Sequence, residues 1–319
     1  MTKKTILVTG IAGFIGFHLA KACVRAGHTV LGIDNFNDYY TPALKRERAQ
    51  ILGEMGVKVH VLDVTDKEEL KKLFHTHSFT HVVHLAAQAG VRFSFAHPEA
   101  YVHSNIQGFL ALLETMRFFP HIPLVYASSS SVYGHNKKIP FSINDPVDKP
   151  ANFYGTTKRA NELMAFSYHQ LYGIPVTGLR FFTVYGPWGR PDMAYFSFTE
   201  KILAGQEIEV YNKGIMSRDF TYVDDVVQGI VASLERKEGC ALYNLGNHRP
   251  EKLMTLVECI EKYSGKKAVM KFLPMQPGEI EATYADIEES TRDLGFCPTT
   301  TLDEGMQQFV TWYKNWKQH

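Results

Sequence analysis

The chain has 319 residues, 45% of them apolar and 21% charged, enough to build one large core or two adjoining lobes and too apolar for a disordered chain. Lysine plus arginine (34) exceeds aspartate plus glutamate (33) by one, so no overall field draws nucleic acid or an anionic membrane surface, and an anionic ligand must be held by local arginines. The first apolar run breaks at Thr9-Gly10 before it could act as a signal peptide, no segment reads as a membrane span, and Cys23, Cys240, Cys259 and Cys297 form no Cys-x-x-Cys pair, so a cytoplasmic protein with reduced thiols is expected.

Short β-branched runs at Thr5–Val8, Thr29–Ile33, Val57–Leu62, His81–Leu85, Leu124–Ala127 and Val176–Leu179 predict strands, with amphipathic stretches between them. That alternation predicts a doubly wound parallel α/β sheet of the Rossmann kind. The strands are almost wholly apolar because helices would cover both faces. Directly after the first strand stands Gly10-Ile-Ala-Gly13-Phe14-Ile15-Gly16, then a helical run, then a second strand ending at Asp34-Asn35. The first glycine permits a tight turn, the second lets backbone approach a pyrophosphate, and the third allows close helix–strand packing. A glycine triplet alone would be a plain turn, but in this setting it points to a dinucleotide. Asp34 suits an adenosine ribose and would repel the extra phosphate of NADP, so NAD is expected. His75, His77, His81 and His84 are close in sequence, yet no carboxylate or cysteine joins them in a metal-site pattern, and no metal is expected.

Ser128-Ser129-Ser130-Ser131-Val132-Tyr133-Gly134 follows the fifth strand, at the sheet edge where such folds bind ligands; a polar loop capping a strand is the plain alternative for Ser128 and Ser130. Tyr154-Gly-Thr-Thr-Lys158 opens a helix predicted over Tyr154–Tyr172 and puts a phenol and an ammonium one turn apart on one face. A free phenol, with a pKa of about 10, is a poor base at neutral pH, whereas a neighbouring ammonium and a cationic nicotinamide ring favour phenolate. From Gly186-Pro-Trp-Gly-Arg190-Pro191 onward turn formers punctuate the chain, and a second lobe is expected, closed by an amphipathic helix over Leu302–Trp316. Residues 1–180 should form the cofactor domain, with 217–246 returning to it, and 181–216 with 247–319 a smaller mixed α/β lobe. Arg190, confined between Gly189 and Pro191, suits a forked contact with a carboxylate, and a solvated loop arginine weighs about equally.

The Gly-x-x-Gly-x-x-Gly spacing together with the Ser-Tyr-Lys set resembles the short-chain dehydrogenase/reductase superfamily. Ala127–Gly134, Tyr154–Lys158, Arg180–Asp192, Arg218–Asp225 and Leu273–Gly278 fall in the order of its extended, sugar-nucleotide members over nearly the full length. The resemblance implies Asp63 and Val64 near the adenine, Leu85-Ala86-Ala87 beneath the cofactor, and Asn105 as a backbone-ordering or cofactor contact. It implies Ser129 on the reacting oxygen, Tyr154 as acid/base, and Lys158 holding the nicotinamide ribose while shifting the tyrosine. Arg218 resembles the pyrophosphate contact, and Arg92 lies either near the sugar and phosphates or on the surface. Gln276-Pro-Gly-Glu279 departs from the usual Arg-Pro-Gly-Asp, which removes a charge from the pyrophosphate side while leaving Glu279 for the uridine ribose. Related enzymes pair as homodimers through a four-helix bundle made from the stretches matching Pro98–Phe119 and Tyr154–Tyr172. Burial against their own sheet would explain Phe109, Leu110, Leu113, Leu163, Met164, Phe166 and Leu171 equally well.

Extended members share hydride removal from sugar C4. In 4,6-dehydratases and UDP-glucuronate decarboxylases the position before Val-Tyr-Gly usually carries glutamate, where this chain has Ser131, and Ser130 stands where many dehydratases have aspartate. Without those carboxyls, elimination lacks its catalysts and epimerisation remains. Arg180-Phe-Phe-Thr183-Val-Tyr-Gly-Pro-Trp-Gly-Arg190-Pro-Asp-Met193 resembles the UDP-glucuronate 4-epimerases, galactose-type enzymes usually having asparagine at Thr183. A UDP-sugar substrate is thus expected, its carboxylate held by Ser131, Thr183 and Arg190. The rival readings are a UDP-galactose or UDP-N-acetylhexosamine 4-epimerase and a non-enzymatic NAD-sensing module.

Overall fold

The computed structural model describes residues 2–275 and 280–318. Alternate residues of β1 (Thr5–Thr9) enter two different cores: Ile6 and Val8 meet Phe17, Leu19 and Ala20 of the helix Phe14–Arg25, while Leu7 faces Leu70, Phe74, Leu112 and Met116 of the helices Lys67–Thr76 and Gly108–Met116. Burial on both faces explains why the strand is apolar throughout, each buried aliphatic side chain contributing about 1.5–3 kcal/mol. The same pattern holds in β2 (Thr29–Asp34), β4 (His81–His84), β5 (Leu124–Ser129) and β6 (Val176–Phe181), and β3 (Lys58–Val61), at the edge, is the most exposed.

These strands form one parallel sheet with β10 (Cys240–Leu245), in the order β10-β6-β5-β4-β1-β2-β3. The chain winds outward in both directions from the β1/β4 boundary, so that boundary is the switch point where such sheets bind ligands. β10 was not among the strands expected; it lies at the sheet edge, with Cys240 exposed and Ala241 and Leu242 half-buried. Of the stretch 217–246, β10 joins the sheet and the helix Val223–Ser233 packs on the helix Phe14–Arg25, but β9 (Ser217–Tyr222) lies outside. It pairs instead with β7 (Thr183–Tyr185) and β11 (Pro250–Lys252). β8 (Glu207–Tyr211) and β12 (Val269–Leu273) form a separate parallel pair.

The helix Phe153–Tyr172 begins where the Asn152 side chain accepts from the Gly155 N–H, and the helix Leu302–Trp316 has the bounds expected, set by a Thr301/Glu304 capping box. Among the described residues no helix is long and apolar enough to cross a membrane, no group of three metal-ligating side chains occurs, and all four cysteines are free.

Candidate active site

A cavity opens over the carboxyl ends of the strands at the switch point, floored by the glycine turn and Leu85, Ala86 and Ala87. Gly10 has φ 70°, and a Cβ there would fall 2.7 Å from the Ala86 nitrogen; one on Gly16 would fall 2.3 Å from the Gly10 oxygen. Side chains at these positions would collide with neighbouring backbone, so glycine is what permits the tight turn and the close approach of the helix to it. Gly13 offers the following helix no side-chain cap and its first turn has no acid, so the helix N–H groups beside Phe14 and Ile15 are left for an anion. The cradle therefore fits a dinucleotide.

At the end of β2, Asp34 is buried and accepts from the Ala12 and Phe36 N–H groups at 3.1 and 2.9 Å. Burial pushes its carboxyl up, and those donors with Lys45 and Arg48 pull it back. Asn35 donates to Asp63 at 2.7 Å, and Val64 completes this wall. Burial would raise Asp63 too, but its bonds from Thr65 and Asn35 prevail and hold it below the usual carboxylate range. Asn105 does not line the cavity. Its amide pairs with both backbone groups of Gln88, at 2.8 and 3.0 Å, and donates to Thr157 at 2.9 Å, so it orders backbone.

Ser129, Tyr154 and Lys158 meet in the same cavity, the first from the end of β5 and the others from the helix Phe153–Tyr172. Burial raises the Tyr154 phenol, and a hydrogen bond with Ser129 and the charge of Arg190 lower it. The cation expected to do this was Lys158. Its ammonium instead donates to the Ala127 carbonyl at 2.9 Å, and burial brings it down to about 8. Arg190 reaches the cavity from the loop after β7, and its charge acts on the phenol there.

The remaining expected contacts fall differently. Ser130 and Ser131 lie in the 3-10 turn that follows Ser129; successive residues there point about a third of a turn apart, and neither lines the cavity. Thr183 does not line it either, although its neighbours Phe182 and Val184 do. Arg92 lies over the Tyr211 ring at 4.7 Å, and Arg218 donates to the Ser217 and Glu281 carbonyls at 2.9 and 3.2 Å; neither lines the cavity. Gln276 and Glu279 lie outside the described residues. Ser128 donates to Glu162 at 2.6 Å and belongs to a buried network with Arg180.

Three residues at this site were not singled out from the sequence, although Asp192 falls within the Arg180–Met193 run. Asp192 holds Arg190 through Nε at 3.1 Å and Nη2 at 2.5 Å, and Tyr39 donates to Asp192 at 3.0 Å while its ring lies 5.8 Å from the guanidinium. Arg48 is buried beneath the loop that carries Arg190. Tyr39 and Arg48 are brought to the loop only by the tertiary fold, and nothing local marks them.

Compared with known families, residues 6–246 match that of the NAD dependent epimerases and dehydratases, "NAD dependent epimerase/dehydratase family". The chain belongs to this family. Among curated relatives of this epimerase/dehydratase, UDP-glucuronate 4-epimerase 4 of Arabidopsis thaliana is 49% identical over 327 residues, covering 97% of this chain and 75% of that protein. Protein CapI of Staphylococcus aureus is 47% identical over 326 residues, covering 97% and 98%. Among solved structures, the UDP-glucuronic acid 4-epimerase from Bacillus cereus in complex with UDP-glucuronic acid and NAD superposes with a TM-score of 0.91 at 34% identity, covering 98% of this chain and 99% of that one.

Proposed function

We propose that this epimerase/dehydratase inverts C4 of UDP-glucuronate, interconverting it with UDP-galacturonate. The observation that carries the reading is Arg190, a guanidinium in the same cavity as the Ser129–Tyr154 pair, where a sugar carboxylate would need a charge-assisted partner. The kinship with named UDP-glucuronate 4-epimerases supports it. Serines stand at 130 and 131, so no carboxyl is offered there for elimination.

In this reading Gly10, Gly13, Phe14, Ile15, Gly16, Asp34, Asn35, Asp63, Val64, Leu85, Ala86 and Ala87 hold NAD, with Lys158 directed to its nicotinamide ribose. Bound NAD supplies the hydride acceptor and donor for C4. Tyr154 takes the C4 hydroxyl proton and returns it, and Ser129 fixes that oxygen. The 4-keto sugar is a β-keto acid and loses carbon dioxide readily when its C5–C6 bond aligns with the carbonyl π system. Arg190 holds the carboxylate out of that alignment.

Purified protein given UDP-glucuronate and UDP-galactose in separate reactions should convert the acid sugar faster. Faster conversion of UDP-galactose or a UDP-N-acetylhexosamine would overturn the substrate, and no conversion of any would favour an NAD-sensing module. Arg190→Ala is expected to release a UDP-pentose alongside the hexuronate; an unchanged product mixture with unchanged affinity would remove Arg190 from this role.

The apolar residues on the helices that end at Met116 and Tyr172 divide by face. Phe109 and Leu113 are buried and Met164 is partly buried against the sheet, but Leu110, Leu163, Phe166 and Leu171 are exposed, Leu171 at 71%. An outward apolar patch on two adjacent helices supports pairing of two copies by a four-helix bundle. Wild-type protein should have the mass of a dimer in solution and Leu163→Glu with Phe166→Glu that of a monomer; a monomeric wild type would refute the pairing.

A further inference from the structure

The loop from Gly186 to Asp192, which delivers Arg190, is fastened to the cofactor-binding half at consecutive carbonyls. His18, on the helix that follows the glycine turn, meets the Pro187 oxygen through Nε2 at 2.9 Å. Arg48, on the helix Pro42–Glu54, meets the next two: its Nη2 donates to the Trp188 oxygen at 2.5 Å and the Gly189 oxygen at 2.9 Å. Its Nη1 donates to the Ala12 oxygen at 3.0 Å and the Tyr40 hydroxyl at 2.7 Å. Arg48 is 0% exposed, and these acceptors are three carbonyls and a phenol. Ala12 lies inside the glycine turn, and its N–H donates to Asp34.

One planar guanidinium thus spans from the cofactor turn to the residue immediately before Arg190. Its fork fixes angles as well as distances, which a flexible ammonium could not do. Trp188 has φ 59°, a left-handed conformation that a tryptophan rarely adopts and that persists where surrounding contacts over-determine it. The Arg48 bond to its carbonyl and its ring packing on Phe17 and Trp312 supply those contacts.

We propose that Arg48 is a positioning residue that sets the placement of Arg190 over the sugar carboxylate, so that the dinucleotide cradle and the carboxylate holder move as one body. The inference rests on the reading of Arg190 given above. Loosening the clamp lets the carboxylate of the 4-keto sugar swing into alignment with the C4 carbonyl. The C5–C6 bond then breaks, its electron pair passes into the carbonyl to give an enolate and carbon dioxide, and water supplies a proton to C5, leaving a 4-keto pentose that becomes the UDP-pentose when the hydride first taken from C4 is returned to it.

The test is the ratio of UDP-pentose to UDP-hexuronate products formed from UDP-glucuronate by NAD-loaded Arg48→Met and Arg48→Lys proteins. A product ratio does not depend on how much protein is folded, so it separates positioning from a loss of stability. Arg48→Met should raise the pentose share by about tenfold or more, since small displacements in a reacting geometry have effects of that order. Arg48→Lys, which keeps the charge but can serve only part of the fork, should fall between; it decides the matter if the methionine variant does not fold. An unchanged ratio in the variants, with Arg190→Ala still producing pentose, would reduce Arg48 to a structural brace and leave the reading of Arg190 standing. Unchanged ratios in the Arg48 and Arg190 variants alike would overturn both.

Discussion

Replacing Tyr154 by phenylalanine is expected to slow C4 epimerisation by about 10²–10⁴-fold, the usual contribution of a positioned acid/base group. The substitution removes one oxygen from a cavity wall and leaves the ring, so bound NAD and the fold should be retained. The pH dependence follows from the neighbours. Burial raises the Tyr154 phenol above its ordinary value, while Ser129 and Arg190 bring it down. A cation favours the phenolate, so its removal must raise the pKa. The wild-type rate should therefore climb as pH rises toward the phenol pKa, and in Arg190→Ala the same climb should begin at higher pH. Rate–pH profiles of the NAD-loaded proteins check both statements. A Tyr154→Phe protein with the wild-type rate would end the assignment of the phenol as acid/base, and an unmoved profile in Arg190→Ala would show that its charge does not govern the phenol.

What the sequence makes legible here is whatever depends on neighbours along the chain. The glycine turn, the acid at the end of β2 and the Tyr154/Lys158 pair are local, and the structure brings them to one cavity. Contacts made by tertiary approach were invisible. Arg48 and Gly189 are 141 residues apart, and Tyr39 and Asp192 are 153 apart, so nothing in either local pattern links them. Arg48 illustrates the difficulty, for an arginine inside a polar helix reads as solvated while the fold makes it one of the most buried side chains. Asn105 was open between two roles because sequence spacing does not say which way a side chain turns. The helix Phe153–Tyr172 posed a related problem: apolar residues occur on more than one of its faces, and only packing separates Ala165, which is buried, from Phe166, which is exposed.

Glu162→Gln should destabilise the protein by about 3–5 kcal/mol, because removing one partner of a buried ion pair strands the other charge. Arg180, on β6, donates to both Glu162 oxygens, from Nε at 2.8 Å and Nη2 at 2.9 Å, and both side chains are 1% exposed. Ser128 at 2.6 Å and Arg159 at 3.0 Å complete the carboxylate's shell, while the Tyr133 hydroxyl accepts from Arg180 and donates to Asn244. The network therefore ties β5, β6, β10 and the catalytic helix together just behind Ser129. Burial alone would raise Glu162, but Arg180 outweighs it and holds the carboxyl below its usual value. A depressed carboxyl contributes stability above its unfolded pKa, and that contribution is lost as pH falls through the folded one, so the wild type should weaken in acid. Glu162→Gln should lose much of that acid sensitivity, having already lost the charge. Adding Arg180→Met to Glu162→Gln should recover part of the stability, because it removes the charge that the single substitution leaves stranded. Denaturant titration of the single and double variants decides it: a single-variant loss below about 1 kcal/mol would mean that water or another group reaches Arg180, and that the ion pair is not what fastens the serine loop to the catalytic helix.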